Sequence, residues 1–153
     1  IPYGDLEAMT DELWDRIMAV NAKGTFLCSR AAILEMRKTG GGQIINTTSI
    51  SGYTGQGSCI AYAASKAAII NITRALAISQ APDIRVNAVS PGGLFNSDEP
   101  QGEDFVNNYS RRCPMGRMAN DEDIVGGVLF LASDAAGYVS GHNLVIDGGF
   151  SSW

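Results

Sequence analysis

The sequence is short of the residues on which metal and triad chemistry rest. It holds a single histidine, His142, in 153 residues. One imidazole argues against a histidine metal site and against a Ser-His-Asp triad, and no metal is expected. Cysteine is scarce too. Cys28, Cys59 and Cys113 are odd in number and lack metal-type spacing, so they read as reduced thiols and a cytoplasmic protein is expected. No apolar run approaches the roughly 20 residues that cross a bilayer. Positive charge is sparse and scattered, with 11 Lys and Arg against 16 Asp and Glu and a net charge of −5. Neither nucleic acid nor a membrane surface is expected as a main partner.

What is present is an ordinary globular composition, 45 % hydrophobic with a mean hydropathy of +0.02. The length suits one domain, and residues 1–153 are read as a single unit. Residues 1–10 read as loop, and Thr10 is placed to cap a helix with Asp11 and Glu12 in its first turn. The stripe Leu13, Ile17, Val20, Leu27, Ala31 and Leu34 predicts a helix running to about Lys38, ended by Gly40-Gly41-Gly42. Residues 43–48 predict a short buried strand, and 49–57 a small-residue loop. A second helix is predicted over 59–79 and a strand over 84–89, stopped by Pro91-Gly92-Gly93. Residues 94–119 read as a mobile surface segment of the lid type, with one short helix near 103–111. A helix over 121–132, capped by Asn120, and a last strand at 144–146 complete the order. This alternation predicts an α/β fold with a parallel sheet. In such sheets ligands bind beyond the carboxyl ends of the strands, where Ser49 and Pro91-Gly92 fall.

Tyr62 and Lys66 stand four residues apart on the second predicted helix, which puts phenol and ammonium on one face. A free tyrosine has a pKa of about 10 and exchanges protons poorly at neutral pH. Bringing a phenol to near 7 needs roughly 4 kcal/mol, which one cation about 4 Å away supplies at an effective dielectric near 20. Alone, the pair would read as a helix-surface pair snorkelling over apolar neighbours. Ser49, thirteen residues before Tyr62, ends a predicted strand where its hydroxyl can face a substrate oxygen, or can bond its own loop. Asn21 lies within Trp14-Asp15-Arg16-Ile17-Met18-Ala19-Val20-Asn21, where an amide can also serve a local helix irregularity.

Taken in order, the segments Trp14…Asn21, Ile45–Gly52, Tyr62-Ala63-Ala64-Ser65-Lys66, Arg85–Gly92, Pro114–Arg117 with Glu122–Ile124 and Phe130–Asp134, and Ser140-Gly141…Asp147-Gly148-Gly149 are informative as a set. The chain resembles the short-chain dehydrogenase/reductase family over essentially its whole length. The resemblance implies a Rossmann-like, doubly wound parallel sheet, here its C-terminal half. It implies an NAD(P)-dependent oxidoreductase that moves a hydride between nicotinamide and a carbonyl or secondary alcohol. Tyr62 would be the general acid/base, and Lys66 would acidify it and hold the nicotinamide ribose. Ser49 would bond the reacting oxygen, and Asn21 would hold a water linking Lys66 to solvent. Pro91 and Gly92 would let the backbone of Gly93 and Leu94 approach the nicotinamide, with Asn96 nearby. The substrate pocket is expected from Ser49, Ser51, Tyr53, Gln56, Cys59, Tyr62 and the 94–118 segment. The cofactor implied is NAD or NADP, the substrate a small carbonyl compound or alcohol, and the assembly a homodimer or homotetramer paired through the two long helices.

Two departures accompany the resemblance. Asn96 stands where the family usually places threonine. The family's glycine-rich turn for the pyrophosphate is not found in these residues. The natural polypeptide is therefore expected to be longer by about ninety upstream residues, and residues 1–153 alone to be weakly active or inactive. A competing reading makes the chain a truncated, non-catalytic binding or assembly subunit. A third keeps the fold and changes the reaction to epimerase or dehydratase chemistry.

Overall fold

The structure, a computed structural model, describes residues 6–56 and 58–152. The predicted loops at 1–5 and at Gly57 lie outside the described residues. Helix α1, Asp11–Met18, starts where predicted: the Leu13 N–H donates to Thr10 Oγ1 at 3.3 Å, and Asp11 and Glu12 face the helix's positive end. The helix does not continue regularly to Lys38. It widens into a π-helical segment, Ala19–Lys23, before resuming as α2, Gly24–Met36, and tightening into a 3-10 turn, Arg37–Thr39. The apolar stripe bridges this defect, so periodicity alone reads it as one helix.

Strand β1, Gly42–Thr47, leads into the serine loop. The sequence predicts only loop there, but Ser51–Thr54 form one helical turn, α3. Helix α4, Ile60–Gln80, is followed by strand β2, Ile84–Pro91. Pro91 takes the final strand position because it needs no N–H there. Its carbonyl accepts from the Ile50 N–H at 3.2 Å, which ties β2 to the serine loop. Helix α5, Glu103–Arg112, and helix α6, Asp121–Ala132, precede strand β3, Asn143–Ile146.

The described strands form a parallel sheet in the order β1-β2-β3, with Ile44 opposite Val86 and Val89 opposite Leu144. Side chains alternate across it. Ile44, Ile84 and Val86 pack with Ile33 of α2 and Ala77 of α4 on one face. Ile45, Val89 and Leu144 pack with Leu131 of α6 on the other. Helices on both faces make the sheet doubly wound, as predicted. Polar residues inside are paired: Asn46 Nδ2 donates to Thr73 Oγ1 at 2.9 Å, and Asn87 Nδ2 to the Val139 carbonyl at 2.8 Å. Arg85 caps the end of α6 through the carbonyls of Leu131 and Ser133. Among the described residues no helix is long and apolar enough to cross a membrane.

Asn120 closes a capping box with Asp123. The Arg117 guanidinium and the Asn120 N–H hold the Asp123 carboxyl well below the usual carboxylate range. That contribution is fully present above the ordinary value near 4 and is lost as pH falls through the lowered one. Asn120→Ala is expected to cost about 1 kcal/mol of stability in urea titrations. Asp123→Asn is expected to remove part of the loss of stability that the native chain shows in acid.

Candidate active site

Parallel pairing puts the carboxyl ends of all three strands on one edge of the sheet. Ser49 follows β1, Gly92 and Gly93 follow β2, and the turn from Asp147 to Phe150 follows β3. The serine loop is pressed onto α4. A side chain at Gly52 would lie 2.6 Å from the backbone of Lys66 and Ala67, so only glycine permits this approach. Thr48 Oγ1 donates to the Lys66 carbonyl at 2.9 Å, which fixes the same junction. Ser49 Oγ accepts the Ser51 N–H at 3.1 Å, leaving the hydroxyl hydrogen available to a ligand oxygen.

Tyr62 sits in the first turn of α4, and Lys66 follows one turn later. Lys66 Nζ lies 5.4 Å from the centre of the Tyr62 ring and donates to the Thr47 carbonyl at 3.1 Å. Burial lowers the Lys66 pKa below its ordinary value. Between the two, Ser65 is fully buried. Its hydroxyl donates to the Tyr62 carbonyl at 2.7 Å and accepts from Asn21 Nδ2 at 3.0 Å. The π-helical segment thus presents Asn21 to α4 rather than turning its amide into its own helix.

A cavity of about 640 Å³ opens at this edge. Ser49, Ser51, Gln56, Tyr62, Gly92 and Gly93 line it from the sheet side. Phe105, Asn108, Tyr109 and Arg112 of α5, with Phe150, form the facing wall. Tyr109 is the centre of that wall. Its hydroxyl accepts the Gly93 N–H, and its ring stacks on Phe150 at 4.5 Å. Burial pushes the Tyr109 phenol above its ordinary pKa.

Known proteins share this architecture. A family model described as enoyl-(acyl carrier protein) reductase matches residues 2–151. The chain is 39 % identical to an NAD-dependent glycerol dehydrogenase of Listeria innocua, over 95 % of this chain and 58 % of that protein. It is also 39 % identical to 2-(S)-hydroxypropyl-CoM dehydrogenase 3 of Xanthobacter autotrophicus, over 98 % of this chain and 62 % of that protein. A solved short-chain dehydrogenase of Leptospira borgpetersenii with bound NAD+ superposes with a TM-score of 0.91 at 43 % identity, covering 98 % of this chain and 61 % of that one. The chain belongs to the short-chain dehydrogenase/reductase family. It spans 58 % and 62 % of the length of the two curated relatives named.

In this dehydrogenase-family chain, several expected site residues do not line that cavity. Tyr53 is 67 % exposed on α3 and does not line the cavity. Cys59 is 3 % exposed and packs against Ile17 and Ala61, so its thiol belongs to the core. Asn96 is exposed, and its Oδ1 accepts the Asp98 N–H at 3.1 Å in a local turn. Leu94 pairs with Ala119, and its carbonyl accepts from Gln101 Nε2. Pro91 ends β2 behind the lining glycines. The α5 residues fall within the 94–118 segment expected at the pocket, whereas Phe150 was not expected there. Phe105, Asn108, Tyr109 and Arg112 stand at i, i+3, i+4 and i+7, a stripe that does mark one helix face.

Gly52→Val is expected to destabilise the fold by roughly 1–3 kcal/mol through overpacking against α4, measurable by chemical denaturation. Lys66 has the opposite sign. Its ammonium is penalised by burial in the folded state at neutral pH, and the penalty is relieved as pH rises through its lowered value toward about 10.4. Relative to Lys66→Met, the native chain is therefore expected to gain melting temperature as pH rises from 7 toward 10.

Proposed function

We propose that this chain carries the catalytic part of an NAD(P)-dependent oxidoreductase acting on a carbonyl compound or secondary alcohol. One observation carries the reading: Ser49 and Tyr62 line a single cavity at the carboxyl ends of the strands, with the Lys66 ammonium 5.4 Å from the Tyr62 ring. The edge is suited to a nicotinamide. Gly92 and Gly93 border the cavity with the Tyr109 side chain packed against them, and Lys66 supplies a cation beside the tyrosine. The name of the Listeria relative and the NAD+ in the Leptospira structure support the same cofactor class. When bound, the nicotinamide supplies or accepts the hydride.

The chain's own residues handle the proton. In the reducing direction, Ser49 Oγ–H donates a hydrogen bond to the carbonyl oxygen and polarises it. Tyr62 Oη–H then gives its proton to that oxygen, and the phenolate left behind faces Lys66. The ammonium, 5.4 Å from the centre of the ring, is the opposite charge that favours this phenolate. The Thr47 carbonyl keeps the ammonium in place. Asn21 acts through Ser65, which holds the turn of α4 on which Tyr62 sits. Leu34 and Ile78, 54 % and 81 % exposed on α2 and α4, support a homo-oligomer built through these helices.

The test is NADH and NADPH oxidation by the full-length protein across a ketone panel, beside Tyr62→Phe. Phenylalanine keeps the ring and removes the proton, so turnover is expected to fall by about 10²- to 10⁴-fold. Turnover that survives this change rejects the mechanism.

A further inference from the structure

We propose that Arg112 and Gln56 form an oxyanion-binding subsite, and that the physiological substrate is a ketone or secondary alcohol bearing a carboxylate or similar monoanionic tail. The proposal rests on the oxidoreductase reading for the identity of the reacting oxygen. The first observation is charge. Of the residues that line the cavity, Arg112 is the one charged side chain, in a chain whose net charge is −5. The second is that no carboxylate neutralises it. The ion pairs among the described residues are Lys38–Glu35 and Arg117–Asp123. On the inner face of α5 its neighbours one and two turns back are Tyr109, Asn108 and Phe105, none of them acidic.

The third observation is that the guanidinium is held in place. Arg112 Nη2 donates to Gln56 Oε1 at 3.2 Å, across the cavity from α5 to the serine loop. Its Cζ lies over the Phe150 ring, 5.1 Å from the ring centre. Phe150 stacks on Tyr109, and Tyr109 is anchored to the Gly93 N–H. A continuous line of contacts therefore runs from the end of β2 to the guanidinium. Arginine carries five N–H donors in a planar fork suited to carboxylate, and Gln56 accepts only one of them. With its Oε1 engaged, the Gln56 amide turns toward its surroundings a donor group that an anion can also use. An exposed arginine serving only solubility needs neither a stacking partner nor a bridge to the opposite wall. The rest of the lining sets the rings of Phe105, Tyr109 and Phe150 beside Ile50, Asn108 and two serines, and the reacting oxygen falls to Ser49 and Tyr62 on other elements. The matching ligand has an oxygen to be reduced or oxidised, a short apolar body and an anionic end. A cavity of about 640 Å³ accommodates such a molecule.

The experiment uses the full-length protein and four keto acids of increasing length, pyruvate, acetoacetate, levulinate and 5-oxohexanoate, each beside its methyl ester. Wild type is expected to prefer at least one acid over its ester. Arg112→Gln is expected to lower kcat/KM for that acid by roughly 10- to 100-fold, mainly through KM, the loss typical of one charged hydrogen-bonding partner. Ester turnover should stay within about threefold, and Arg112→Lys should recover part of the acid preference. A purely structural strut would lower acid and ester alike, and that outcome overturns the proposal. So does a defect confined to the KM of the nicotinamide, which would assign Arg112 to the cofactor. Calorimetric binding of the acids to Tyr62→Phe with NAD+ present reads the subsite without chemistry. Binding of an acid over its ester that Arg112→Gln abolishes supports the subsite, and failure of every acid to bind sinks it. Retained turnover by Tyr62→Phe sinks the oxidoreductase mechanism instead and leaves the acid preference readable.

Discussion

The serine-bearing loop and the tyrosine-bearing helix meet through backbone, and the rest of the site is arranged around that contact. Gly52 lies against the main chain of Lys66 and Ala67 with no room for a side chain. Thr48 bonds the Lys66 carbonyl, while the Lys66 ammonium reaches back to the Thr47 carbonyl. Three contacts thus converge on one residue of α4 and set the end of β1 relative to the first turn of that helix. Backbone contacts are stiffer than those between long side chains, which lose rotamer freedom when they pair. A hydroxyl and a phenol proposed to act on one oxygen need that stiffness, because chemistry of this kind falls off with displacements of an ångström.

The π-helical segment serves the same junction from the other side. A wider helical turn costs regular hydrogen bonding and persists where it performs a task. Here it directs Asn21 at Ser65, whose hydroxyl is spent on the Tyr62 carbonyl. Polar groups in this part of the fold are paired, among them Asn46 with Thr73 and Asn87 with Val139. Pairing of this sort favours a single arrangement, since any slip leaves a buried polar group unsatisfied.

The proposed recognition of substrate falls to a separate element. Helix α5 contributes no strand-end residue and none of the proposed proton-handling groups. It brings two aromatic rings, an amide and a guanidinium to the facing wall of the cavity. Chemistry on the sheet edge and recognition on a helix beyond it can vary independently, which suits a family whose members act on substrates as unlike as glycerol and a coenzyme M conjugate.

Much of the fold was legible locally. The Thr10 and Asn120 caps, the strands around Ile44 and Val86, and helix α4 each follow from a few adjacent residues, because capping and side-chain periodicity act over one or two turns. The four-residue spacing of Tyr62 and Lys66 was enough to place ammonium and ring together for the same reason. What escaped was long-range. The π-helical turn follows from a contact between Asn21 and Ser65, forty-four residues apart, which no local pattern records. Tyr53 and Cys59 carry plausible chemistry, yet one faces outward from α3 and the other is drawn into the core by Ile17. Arg112 became meaningful only when α5 was laid against Gln56, fifty-six residues away. By itself the sequence determined the long helices and the strands, and which pair of side chains shares a helical face. Only the tertiary structure decided which residues border the cavity, because that depends on how elements distant in the chain pack together, and packing responds to surface shape and burial rather than to neighbours in sequence.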